Sequence, residues 1–148
     1  MVLDMIAVMY HYVRPGTTKP PYTYYYLALD DFRKQLDFFE DQHHLINRET
    51  FIKWYAGERT LPDDAVILTF DDGLRDHYEY VLPELRSRGL WGLFFCPGPI
   101  DDQALTVHRI HTLLGTVSAS TLDEALRELV KPTDLRSGTV SKYEQMYS

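Results

Sequence analysis

The stretch VILTFDDGL, Val66 to Leu74, decides the reading of this chain. Five consecutive apolar or β-branched residues, Val66 to Phe70, favour a strand buried on both faces, and Asp-Asp-Gly then stops it. Adjacent carboxylates repel, and neither Asp71 nor Asp72 has a Lys or Arg as its sequence neighbour. A turn needs only one Asp and a glycine, so the second carboxylate calls for a chemical reason. Successive side chains of an extended segment point in different directions, which suggests a division of labour. One carboxylate would hold a metal and the other move a proton, the cation offsetting their mutual repulsion.

Outward from this stretch, RDHYEYVLPELRSRG (75–89) has helical spacing, with Tyr78, Val81, Leu82 and Leu85 on one face and Gly89 as the stop. Pro83 inside the pattern predicts a kink or a helix that starts afresh. LWGLFF (90–95) reads as a second apolar strand, closed by Pro-Gly-Pro. Strand, helix and strand in this order make a βαβ unit with parallel strands. Upstream, MIAVMY (5–10) reads as a third, buried strand with His11 at its end. Ligands of parallel α/β folds gather beyond the carboxyl ends of the strands. That rim would carry Tyr10, His11, Asp71, Asp72 and Gly73, with Gly73 letting the backbone turn behind the carboxylates.

The remaining segments read as helices and loops. DDFRKQLDFFEDQ (30–42) is a helix with Asp30 as N-cap and Phe32, Leu36 and Phe39 on one face. His43 and His44 follow as solvated residues at its end, where a cation suits the dipole. RETFIKWYAGE is a second helix stopped by Gly57. The Pro- and Tyr-rich segment RPGTTKPPYTYYY is a loop whose tyrosines cover the core or lie against sugar rings. ALTVHRIHTLLG is helical. STLDEALRELV is the clearest helix, with capping-box spacing at Thr121 and Glu124 and a stripe of Leu122, Ala125, Leu126, Leu129 and Val130. Residues 131–148 show no pattern.

Composition narrows the classes. The 148 residues suffice for one domain, and 45% hydrophobic with 25% charged residues is ordinary globular usage. A net charge of −7 leaves no basic stripe for nucleic acid or an anionic membrane. Cys96 is the single cysteine, which rules out an intrachain disulfide and a cysteine-based zinc cluster. The N-terminus lacks a basic n-region and carries Asp4, and no apolar run reaches membrane-spanning length. The default compartment is therefore cytoplasmic, and no oligomeric state can be read.

VILTFDDGLRDHYEYVLPELRSRGLWGLFFCPG resembles the first motif block of the polysaccharide deacetylases, carbohydrate esterase family 4. The family's Thr-Phe-Asp-Asp-Gly stands unbroken at Thr69 to Gly73, and its Ala/Gly-x-Phe-Phe strand matches Gly92 to Phe95. MYHYV and the FRKQLDFF helix are similar to a bacterial subgroup, so the likeness runs from residue 5 to about 115. The resemblance implies an α/β fold forming part of a distorted (β/α) barrel, with parallel strands at about 5–10, 66–70 and 91–96. It implies hydrolysis of the acetamide of N-acetylated sugars with a divalent metal, zinc by preference. By the same likeness Asp71 is the general base and Asp72 a metal ligand. His11 is a further candidate metal ligand, and Tyr10 and Gly73 are candidates for substrate contact.

The match then breaks. The family completes its zinc site with His-Ser/Thr-x-x-His spacing, one helical turn apart, and the candidate His111-Thr112-Leu113-Leu114 is followed by Gly115 where the second histidine should stand. His108 and His111, at i and i+3, read as structural. The family's later Arg-x-Pro-Tyr, Asp/Trp and Leu-x-His segments are absent. The expectation is thus residues 1–148 as the N-terminal part of one catalytic domain, inactive alone. The rival expectation is a module that binds glycan or protein through the Tyr-rich loop and its exposed sheet edges.

Overall fold

The computed structural model describes residues 5–98 and 106–129, with side chains to residue 124 in the last helix. Val130, the tail 131–148, Pro99 and the side chains of Ala125, Leu126 and Leu129 lie outside the described residues. The chain divides into two compact units, Met1–Lys19 with Tyr25–Leu105, and Pro20–Tyr24 with Thr106–Ser148.

The first unit is built on strand β5, Ala65–Phe70, the apolar run that ends at the two carboxylates. Strand β1, Met5–Tyr10, pairs with it in parallel along its whole length, from Met5 opposite Ala65 to Tyr10 opposite Phe70. The other edge is shared by two short parallel strands. Strand β4, His44–Leu45, takes its start, and β6, Gly92–Phe94, takes its end. A separate parallel pair, β2 (Val13–Arg14) and β3 (Leu27–Ala28), flanks the segment read as loop and takes only Arg14 from it. The result is an α/β fold with a parallel sheet, left open among the described residues.

Alternation along β5 sorts the core into two layers. Val66, Leu68 and Phe70 face helix α1, Leu29–Gln42, and meet Tyr10, Val13, Phe32, Leu36, Val81 and Leu85. Ala65 and Ile67 face the other way, towards Ile46, Phe51, Trp91 and Leu93. Phe51 belongs to helix α2, Arg48–Tyr55, which Asn47 caps by accepting the Thr50 N–H at 2.9 Å and which ends before Gly57 at φ +75°.

Several expectations need correction. Strand β1 is not buried: Ile6 and Met9 are 48% and 61% exposed, because β1 is an edge strand with no neighbour beyond it among the described residues. Strand β6 spans three residues rather than six, since β5 has no further backbone to offer it after Phe70. Asp30 does not cap α1; the cap is Ala28, without a side-chain hydrogen bond, and Asp30 and Asp31 sit in the first turn where they favour the dipole. His44 lies in β4, not on a helix end, with Nδ1 2.5 Å from Asp64.

Pro83 does start a helix afresh: α3, Leu82–Ser87, carries it in the first turn. Before it comes a π-turn, His77–Val81, closed by Leu82 N–H donating to the His77 carbonyl. The wider turn changes the phase, so His77, Val81 and Leu85 face inward while Tyr78 stands 76% exposed.

Arg88 fastens α3 to α1, reaching Asp37 at 2.5 Å, Glu40 at 2.7 Å and Glu84 at 2.9 Å, while Arg33 reaches Glu84 at 2.8 Å. Most of these partners are open to solvent, so each pair is worth little. Arg88→Ala is expected to lower stability by about 1 kcal/mol in low-salt urea unfolding, with a smaller loss in high salt. An unchanged midpoint would show the network to be ornamental.

The second unit holds helices α4, Thr106–Leu114, and α5, Ala119–Leu129. The start of α5 is capped by Ser118, whose Oγ accepts the Thr121 N–H at 3.2 Å, and not by Thr121. Tyr24 stacks on His111 at 4.6 Å between ring centroids.

Candidate active site

The site forms where β5 ends. Asp71 N–H donates to the Tyr10 carbonyl at 3.0 Å, extending the β1–β5 ladder by one residue, and Phe95 N–H donates to the Phe70 carbonyl at 2.8 Å. Asp71 is thereby held in the sheet's register. The chain then turns through two left-handed residues, Asp72 at φ +76° and Gly73 at φ +58°. Asp is among the few side chains that tolerate this region, and glycine enters it without steric cost. A Cβ at Gly73 would lie 3.3 Å from Cys96 Sγ and 3.4 Å from Pro97, so glycine also lets the segment after β6 close on the turn.

The turn aims the second carboxylate at the end of β1. His11 Nε2 lies 3.9 Å from Asp72 Oδ2. Asp71 and Asp72 line an open cleft of about 440 Å³ with Phe95, Cys96 and Pro97. Of the five residues singled out on the rim, Asp71, Asp72, His11 and Gly73 come together here.

Tyr10 does not, which corrects its expected role. It is 5% exposed, faces the helix layer, and donates its hydroxyl to Gln35 Oε1 at 3.0 Å. Its ring packs edge-on to Phe32 and stacks on Phe70, and burial pushes the phenol pKa up to about 12. Tyr10 pairs with Phe70 and shares the helix-facing side of the sheet with Val66, Leu68 and Phe70, and it does not line the cleft.

His77 is a site neighbour that sequence reasoning missed. It is 4% exposed, and its Nε2–H donates to the His11 carbonyl at 2.7 Å. The usable signal was the i, i+4 spacing of His77, Val81 and Leu85, passed over in favour of Tyr78, which stands i, i+3 to Val81. Burial holds the His77 pKa below its ordinary 6.5, partly offset by the His11 carbonyl and the charges of Asp76 and Asp72. Next to it, Asp76 pairs with Arg14 at 2.6 Å. Burial pushes the Asp76 carboxyl up despite the Arg14 guanidinium.

The sign of the His77 effect follows from linkage. Between its depressed folded pKa and about 6.5, the unfolded chain holds the proton more tightly than the native one. Stability is therefore complete above about 6.5 and is lost as pH falls through the folded pKa. Urea unfolding from about pH 7 down to about pH 5 should show a loss in the wild type that is smaller in His77→Phe. Equal slopes in the two proteins would refute it.

Asp72 and His11 offer one carboxylate oxygen and one imidazole nitrogen. Both kinds of donor suit zinc, yet a catalytic zinc takes three protein ligands. Among the described residues, no group of three or more His, Cys, Asp or Glu side chains could hold a metal ion. The pair thus fits in kind and falls short in number among the described residues. His111 is engaged with Tyr24 in the second unit, and a Cβ at Gly115 would lie within clashing distance of the Pro21 carbonyl oxygen, so a histidine cannot stand there without a backbone shift.

No family model matches the sequence, and no curated protein matches it. Solved structures do. A de-N-acetylase from Aggregatibacter actinomycetemcomitans aligns at TM-score 0.52 and 24% identity, over 61% of this chain and 36% of that one. IcaB from Ammonifex degensii aligns at TM-score 0.52 and 28% identity, over 63% of this chain and 38% of that one. In fold, the chain resembles the de-N-acetylases. It spans well under half the length of these structures. No described helix is long and apolar enough to cross a membrane.

Proposed function

We propose that this chain carries the base-bearing part of a metal-dependent deacetylase acting on N-acetylated sugars of a glycan. The observation that carries the reading is the unbroken Thr69–Gly73 motif at the carboxyl end of the central parallel strand, with His11 beside Asp72. A fold like that of a de-N-acetylase supports it.

Asp71 acts as general base, its backbone pinned by the Tyr10 carbonyl so that the carboxylate stays at the cleft. A water oxygen attacks the acetyl carbonyl carbon while Asp71 takes the water's proton. The carbon–nitrogen bond then breaks, and the products are acetate and the protonated amine of the sugar. Asp72 and His11 would be two of the ligands of a zinc ion, which when bound polarises the carbonyl and the water. The remaining ligands and the acid that protonates the amine come from outside the described residues.

The test is acetate release from N-acetylated oligosaccharides by the native protein purified from its source, with its intact mass measured alongside. Release abolished by a chelator and restored by zinc supports the reading; no release from any such oligosaccharide sinks it. The 148-residue chain alone is expected to bind zinc weakly, by calorimetry, because two ligands are too few. Tight stoichiometric zinc that disappears in His108→Ala or His111→Ala would overturn the ligand assignment.

A second reading, a glycan- or protein-binding module, is favoured by the edge of β1, which has no neighbouring strand among the described residues, and by Tyr25, 87% exposed. Under it, Asp72→Asn would leave glycan binding unchanged and there would be no turnover to lose.

A further inference from the structure

His77 occupies a slot that an apolar ring would fill. Its imidazole lies edge-on to Phe70 and Phe94, with centroids 5.5 Å and 6.0 Å away, and it is almost wholly buried. Because Nε2 must carry the proton to donate to the His11 carbonyl, Nδ1 is the bare nitrogen. That Nδ1 is buried with no hydrogen-bond partner. An idle buried acceptor is a cost that phenylalanine would avoid, so packing alone does not account for histidine here. The π-turn points the same way. It turns His77 inward in place of Tyr78, and π-turns recur at functional sites.

What the imidazole holds is the peptide that carries His11. The Tyr10 carbonyl is taken by Asp71 N–H at 3.0 Å, and the next carbonyl, that of His11, by His77 at 2.7 Å. Three residues on, Arg14 is tied to Asp76, the neighbour of His77, at 2.6 Å. With its flanking peptides held, the His11 side chain has only its own two torsions left, and these place Nε2 3.9 Å from Asp72.

We propose that His77 is a positioning residue: by holding the His11 carbonyl it fixes the direction of the His11 imidazole towards Asp72. This rests on the reading of Asp72 and His11 as a working pair. The charged and titratable groups around it are Asp76, Asp72 and His11, and the role requires no change in their protonation.

The test compares the 148-residue wild type with His77→Phe, which keeps the ring and loses the donor, and His77→Gln, which returns an N–H at similar reach. Three-bond couplings of His11 in the metal-free proteins should report one side-chain rotamer in the wild type and in His77→Gln, and averaging in His77→Phe. Unchanged couplings in His77→Phe, or averaging in His77→Gln equal to that in His77→Phe, would overturn the proposal. Should His77→Phe fail to fold, the ¹⁵N shifts of His77 in the wild type decide: a proton on Nε2 supports the role, and a proton on Nδ1 ends it. Zinc titration followed at the His11 ring is the separate check on the underlying reading. Affinity is expected to drop about tenfold in His77→Phe and recover in His77→Gln. Wild-type His11 signals that ignore both zinc and Asp72→Asn would remove the metal-pair reading while leaving the coupling result standing.

Discussion

Asp71→Asn in the native polypeptide should lower acetate release by about 10²–10⁴-fold, the usual worth of a positioned general base, with the thermal midpoint moved by no more than a few degrees. The fold tolerates the change because what pins residue 71 is its backbone N–H on the Tyr10 carbonyl, which the amide side chain leaves intact. Asp72→Asn is the companion variant. Its backbone sits at φ +76°, where asparagine is one of the few acceptable replacements, so the substitution removes a charge without straining the turn. Alanine at 72 would confound the two effects. Both amides also relieve carboxylate repulsion, and the midpoint measured alongside separates a loss of activity from a weaker fold. Full turnover in Asp71→Asn would eliminate it as the base, and a large fall in midpoint would assign it to structure instead.

The second large effect is on stability. Phe70→Ala is expected to cost about 3–5 kcal/mol in urea unfolding, the range for deleting a large aromatic from a close-packed core. Phe70 is fully buried, stacks on Tyr10 and Phe94 at 5.3 Å and 4.7 Å, and meets Phe32 and His77 edge-on at 6.2 Å and 5.5 Å. It is the floor beneath the candidate site, joining the ends of three parallel strands to the helix layer and the π-turn. Gly92 shows how tightly that floor is filled, since a Cβ there would lie 2.7 Å from the Phe70 ring. A loss below about 1 kcal/mol would mean the ring is not the centre of this core.

The sequence by itself determined those features whose cause is local. An unbroken apolar run ended by Asp-Asp-Gly makes a buried strand and a sharp turn wherever it is placed, and β5 obeys it. Pro83 and Gly57 act through their own backbone restrictions, so a fresh helix start and a helix stop were legible. The two carboxylates and His11 were legible as a rim because strand ends share one side of a parallel sheet.

Tertiary structure alone decided the rest. Two-residue strands such as β2, β3 and β4 carry no period of their own and exist only because a neighbour's edge offers hydrogen bonds. Exposure of β1 depends on whether another strand lies beyond it, which MIAVMY cannot encode. The side taken by Tyr10 follows from its pairing with Phe70, not from its closeness to His11. A single π-turn exchanged Tyr78 for His77 in the core, because one extra residue per turn rotates every later side chain. Local chemistry placed the carboxylates at a strand end; long-range packing chose which imidazole faces Asp72 and which one holds its backbone in place.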